Sequence, residues 1–107
     1  MTTYCVELAP AAQADIESIY QHYIITANDF VANKLLEEID LAIASLSSEP
    51  LLGHLPLELN SSDKECLEIL TKSFRLVYRI LDKRVDILLV LHQKQSIEKA
   101  LNNRLLH

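Results

Sequence analysis

The stretch Phe74 to His92, FRLVYRILDKRVDILLVLH, constrains the fold more than any other. It reads as two long strands reversing at Asp82 and Lys83, although Asp-Lys is a weaker two-residue turn than Asn-Gly or Asp-Gly. Counting outward from Leu81 and Arg84 predicts partners whose numbers sum to 165. Tyr78 then faces Ile87, Arg79 faces Asp86, and Arg75 faces Val90. Strand alternation sends Phe74, Leu76, Tyr78 and Ile80 to one face with Val85, Ile87, Leu89 and Leu91. The other face receives Arg75, Val77, Arg79 and Leu81 together with Asp86, Leu88, Val90 and His92. Both faces are rich in apolar residues, so the ribbon needs a cover on each side, and one cover is expected to be another polypeptide.

The rest of the chain supplies the first cover. With 107 residues the length prior is one domain, 1–107, large enough for a core without covalent staples. Half of the residues are hydrophobic while Gly is 1 and Pro 3, which favours regular elements over disorder. Thr2 to Ala9 alternates as an amphipathic strand, and Pro10 ends it and opens a helix to Ile25, with Ile16, Ile19, Tyr20, Tyr23 and Ile24 at helical spacing. Asp15 and Glu17 near its start suit the helix dipole. Thr26 and Asp29 resemble a capping box for a second helix from about Ala27 to Leu46, antiparallel to the first. Its Glu37, Glu38 and Asp40 read as a solvated face. Ser47 to Asp63 is a long loop, Lys64 to Leu70 a short strand, and Ser96 caps a last helix carrying Ile97, Leu101 and Leu105. The expected class is α+β: an N-terminal strand, an antiparallel helix pair, a three-stranded antiparallel meander and a C-terminal helix.

Charge narrows the function. The net value of −5 conceals nine acids and one base in residues 1–60, against six acids and nine bases in 61–107. An acidic chain is a poor general binder of nucleic acid, where Lys and Arg supply most of the affinity. No signal peptide or membrane-length apolar run is evident, so a cytoplasmic protein with no membrane partner is expected. Cys5 and Cys66 lack metal-ligand spacing and read as small packing residues, so neither a metal nor another cofactor is called for. His54 and Glu58 have no third group at triad spacing and read as exposed loop residues.

VELAPAAQADIESIYQHY, a long helix, SSEPLLGHLPLEL and FRLVYRILDKRVDILLVLHQKQSIEKAL follow one another in this order. Together they resemble the RelE/ParE superfamily of toxins from type II toxin–antitoxin pairs over nearly the whole chain. The resemblance implies a curved antiparallel sheet with two helices on one face and an antitoxin segment on the other. The antitoxin-binding set would be Arg75, Val77, Arg79, Leu81, Leu88, Val90 and His92, and any contact with promoter DNA would run through the antitoxin.

The two branches of the superfamily imply different chemistry. A RelE-like enzyme cuts mRNA on the ribosome, which needs an activated 2′-OH, an acid for the leaving oxygen and cations for the phosphate charge. Arg75, His92 and Lys94 would be that set. The usual cluster of bases after the last strand is reduced here to one Lys between Gln93 and Gln95, and no tyrosine follows Tyr78. A ParE-like toxin needs no active site and inhibits DNA gyrase by binding, in keeping with plasmid stabilisation and growth inhibition as roles. The resemblance favours this branch, with no catalytic residue. Arg79 opposite Asp86 reads as a structural pair worth roughly 0.2–1 kcal/mol.

Overall fold

The computed structural model describes residues 3–55 and 66–93. The elements are β1 (Cys5–Leu8), α1 (Pro10–Thr26), α2 (Asp29–Ser48), β2 (Cys66–Leu70), β3 (Phe74–Leu81) and β4 (Arg84–His92). The expected C-terminal helix lies outside the described residues. The strands form one mixed sheet ordered β1-β4-β3-β2, in which β2, β3 and β4 are antiparallel neighbours and β1 runs parallel to β4. The N-terminal strand therefore extends the meander to four strands, a placement that alternation alone does not specify.

Local chemistry explains the helix ends. Pro10 stands in the first turn of α1, where its missing N–H costs no hydrogen bond. Asp15 and Glu17 lie beyond that first turn. The capping box on Thr26 does not form: its hydroxyl donates back to the His22 carbonyl at 2.8 Å, and it closes α1. Asn28 caps α2 instead, its Oδ1 accepting from the Val31 N–H at 2.9 Å. One more residue between the helices is needed for the chain to reverse, and Asn is a strong N-cap. Ser47 and Ser48 extend α2 beyond the expected end at Leu46.

Both helices pack on one face of the sheet. Ala12, Ile19, Ile39, Ala42 and Leu46 meet Phe74, Leu76, Tyr78, Val85, Ile87 and Val90 in a dry cluster. Tyr4, just before β1, and Val6 and Leu8 of β1 close it on one side, and Leu67 and Ile69 of β2 on the other. Burying each large side chain contributes about 1.5–3 kcal/mol, so this cluster is the main source of stability.

The hairpin keeps the expected register only near its turn. Leu81 pairs with Arg84, Ile80 with Val85, Arg79 with Asp86 and Tyr78 with Ile87. The register then shifts, so that Val77 pairs with Leu89, Leu76 with Val90, Arg75 with Leu91 and Phe74 with His92. Leu88 is the extra residue of a β-bulge, and a one-residue slip exchanges the faces of everything beyond it. Val90 and His92 turn to the helices, whereas Leu89 and Leu91 turn to the opposite face. At the tight turn Asp82 has a φ of 55°, a left-handed conformation that Asp tolerates better than most residues.

Two carboxylates from the helices tie down backbone that the sheet leaves unpaired. β1 reaches no further along β4 than Ile87, and the Val90 N–H donates instead to Asp15 Oδ2 at 2.9 Å. Glu38 is not merely solvated. It accepts from the Ser73 N–H at 2.7 Å and the Ser73 hydroxyl at 3.2 Å, and also from the Thr71 hydroxyl, gripping the β2–β3 turn.

Candidate functional site

The face of the sheet away from the helices carries the charged chemistry. Arg75 on β3 and Glu68 on β2 point to this face, and both are buried. Arg75 donates from Nε at 2.9 Å and from Nη2 at 2.7 Å, both to Glu68 Oε2. The other carboxylate oxygen, Oε1, stands 3.1 Å from His54 Nε2. An ionised carboxylate only accepts, so Nε2 carries the hydrogen when this bond forms. The three side chains thus form a chain from a half-exposed imidazole to a buried guanidinium.

His54 reaches this position because the segment after α2 returns to the sheet edge. His54 and Glu68 form an isolated antiparallel bridge, with N–H to carbonyl distances of 2.9 and 2.7 Å. The core-facing Tyr78 holds the returning segment from below. Its hydroxyl donates to the Pro50 carbonyl at 2.7 Å and accepts from the Gly53 N–H at 2.9 Å. A Cβ on Gly53 would lie 2.5 Å from both the Glu68 carbonyl oxygen and the Tyr78 hydroxyl, so a side chain there would push the segment off the edge. Burial raises the Tyr78 phenol above its ordinary value of 10.0, partly offset by the Gly53 N–H, which favours the phenolate.

The middle of this face is apolar and buried. Val77, Leu89, Leu91 and Cys66 form a second cluster, with Leu88 packed against it, and Val77 and Leu89 are 0% and 1% exposed. From sequence, this side is left to a partner polypeptide; in the structure its central residues, Val77 and Leu89, are buried. At the hairpin end the polar groups are looser. Arg84 takes Asp86 from Nε at 2.9 Å and Nη2 at 3.3 Å, which holds the Arg84 guanidinium further above its ordinary range. Arg79 is left 3.8 Å from Asp86, and its Nε makes no hydrogen bond among the described residues. The register behind the expected Arg79–Asp86 pair is right, but Arg84 has the better geometry. Leu81 is exposed beside the turn.

Two of the three candidate ribonuclease residues, Arg75 and His92, lie on opposite faces of the sheet. Arg75 lies on the charged face, while the bulge puts His92 on the helix side, its ring 5.3 Å from Phe74 and 6.1 Å from Tyr23. His92, with Asp15, Ser18, Ile19 and His22, borders a shallow open cleft between α1 and β4. Lys94 and Glu58 lie outside the described residues. Of the expected antitoxin-binding set, Val90 and His92 move to the helix side, whereas Arg75, Val77, Arg79 and Leu81 keep their predicted face. His54 stays largely exposed, as its loop position implied, but its link to Glu68 was missed, because no local spacing joins a loop histidine to a strand glutamate on the far side of a long return. Among the described residues no group of three or more His, Cys, Asp and Glu side chains could hold a metal. No helix there is long and apolar enough to cross a membrane.

Known structures share this fold. The chromosomal ParDE toxin–antitoxin system of P. aeruginosa superposes with a TM-score of 0.70 at 19% identity, over 86% of this chain and 98% of that one. The toxin–antitoxin complex RelBE2 of Mycobacterium tuberculosis gives 0.61 at 26% identity, covering 85% and 99%. The isolated RelE toxin of E. coli gives 0.53 at 15% identity, covering 97% and 99%. No curated protein sequence matches the chain. The model of the ParE toxin of type II toxin–antitoxin systems matches residues 6–97, and with the α+β architecture and mixed four-stranded sheet already described, the chain belongs to that family of toxins.

Proposed function

We propose that this toxin acts by binding DNA gyrase and blocking its supercoiling, without catalysis of its own, and that a cognate antitoxin neutralises it. The observation that carries this reading is the state of Arg75. The arginine that a ribonuclease of this fold would aim at the scissile phosphate is buried and bonded to Glu68, and a second carboxylate-bound group, His54, stands beside it. A phosphate brought to that spot would meet the Glu68 carboxylate, and like charges in a desolvated site repel strongly. The other candidate acid–base group, His92, faces the opposite side of the sheet. Family membership adds weight to the binding mode.

The antitoxin partner follows from the family and from the ParDE and RelBE2 assemblies that share the fold. Since Val77 and Leu89 are buried, the antitoxin would meet this side through its rim, at His54, Arg79 and Leu81. The reading is tested with purified toxin and gyrase. The expected result is dose-dependent loss of supercoiling. Full supercoiling at saturating toxin, together with codon-phased cleavage of ribosome-bound mRNA in a translating extract, would instead assign the protein to the ribonuclease branch.

A further inference from the structure

The helix pair has a solvent face that packing does not explain. Ile25 lies in the last turn of α1 and is 79% exposed, Phe30 lies in the first turn of α2 at 70%, and Leu41 lies three turns further along α2 at 72%. Phe30, Lys34, Glu37 and Leu41 are spaced i, i+4, i+7 and i+11, which is one stripe of a helix. That stripe is opposite the buried Ala32, Ile39, Ala42 and Leu46. Lys34, the single base of the helix pair, is already engaged: it pairs with Glu37 at 3.6 Å and lies 5.6 Å from the Phe30 ring centre. Exposed Asp29 and Asp40 are the sequence neighbours of Phe30 and Leu41 on α2, and Glu17 is exposed on α1. Isolated exposed apolar side chains are ordinary, but three large ones on the outward side of a two-helix unit, set among acids, form a surface of mixed chemistry.

We propose that this surface of the helix pair, with Ile25, Phe30 and Leu41 as its apolar contacts, is what grips the toxin's target, and that the complementary site is a basic protein surface with an apolar socket. The occupant is fixed by charge. The helix pair exposes Glu17, Asp29, Glu37 and Asp40 against the single base Lys34, so an acidic partner or a nucleic acid would be repelled, whereas Lys and Arg on a protein partner would be drawn in and desolvated around the aromatic ring. The bound face would place Phe30 in the centre, where aromatic anchors carry most of an interface's energy. This inference rests on the reading that the toxin acts by binding, and it names the side that does so.

The test uses the full chain. Ile25→Ser/Phe30→Ser, Leu41→Ser alone and Asp29→Lys/Asp40→Lys are each compared with the unchanged protein in two assays: growth arrest at matched expression without antitoxin, and half-inhibition of gyrase supercoiling. The apolar positions are exposed, so their urea midpoints should not move, and Leu41→Ser serves if the paired substitution lowers it; the charge reversal should lower its midpoint slightly, because Asp29 stands in the first turn of α2. We expect loss of growth arrest and at least a roughly tenfold rise in the toxin needed for half-inhibition from the paired apolar change, as for an interface hot spot. The charge reversal should weaken inhibition at low salt and erase its salt dependence. Variants that arrest growth like the unchanged toxin would overturn the proposal. So would a shift from dimer to monomer on substitution, because the patch would then belong to a second copy. If the unchanged toxin arrests growth and leaves gyrase untouched, the gyrase reading fails while loss of arrest in the variants still supports this surface.

Discussion

The two faces of this sheet are both buried, and they are buried by opposite chemistry. On the helix side Phe74, Leu76, Tyr78, Val85 and Ile87 meet apolar helix stripes, and nearly every contact is nonpolar. On the other side four apolar side chains share the surface with a buried ion pair, Arg75 and Glu68, to which His54 is attached. The first arrangement stabilises by removing apolar area from water. The second must repay the desolvation of two charges before it stabilises anything. A buried ion pair holds only while both partners are present, so the charged side depends on Arg75 and Glu68 staying matched, whereas the helix side depends on packing alone.

The largest effects should come from breaking that asymmetry. Arg75→Ala leaves Glu68 buried and uncompensated, and should cost about 3–5 kcal/mol in urea unfolding. Replacing the pair together, Glu68→Leu with Arg75→Met, should be neutral or stabilising by roughly 1–4 kcal/mol. If the double change costs as much as the single one, the pair is a true source of stability and the contrast between faces disappears. On the helix side Ile87→Ala should cost about 2–5 kcal/mol, with no partner substitution able to restore it.

Tyr78 joins the two faces and gives an intermediate test. Tyr78→Phe strands the Gly53 N–H and the Pro50 carbonyl and should cost roughly 1–3 kcal/mol. It should also loosen His54, seen as a changed imidazole chemical shift by NMR while the helix-side resonances stay in place. The phenol adds a pH signature. The folded chain keeps this proton at pH values where the unfolded chain has released it, so the contribution is intact below the ordinary value of 10.0 and is lost as pH rises through it. The unfolding midpoint of the unchanged protein should therefore fall more steeply above that value than the midpoint of Tyr78→Phe. The smallest effect lies far from both faces: Asn28→Ala removes the cap of α2 and should cost about 1 kcal/mol, with no change at His54.

Much of the molecule was legible from residue order. Pro10 marked the strand-to-helix change, and the spacing of Ile19, Ile39, Ala42 and Leu46 marked the buried helix stripes. The turn at Asp82 and Lys83 fixed the first four pairs of the hairpin. Periodicity is a local property, carried by neighbouring residues, and it survives folding wherever one face is apolar and the other is not. It failed from Leu88 to Leu91, because four consecutive apolar residues satisfy either phase of alternation and cannot reveal a bulge.

What tertiary structure alone decided is which groups meet across long separations. β1 lies beside β4, Asp15 caps Val90, Glu38 holds the β2–β3 turn, and His54 finds Glu68 and Arg75. None of these pairings has a repeat or a spacing that announces it, since each depends on where the chain returns after a long excursion. Sequence supplied the apolar faces that drive collapse; the geometry of that collapse then chose which polar side chains were left within hydrogen-bonding distance, because a buried polar group must find a partner or destabilise the fold.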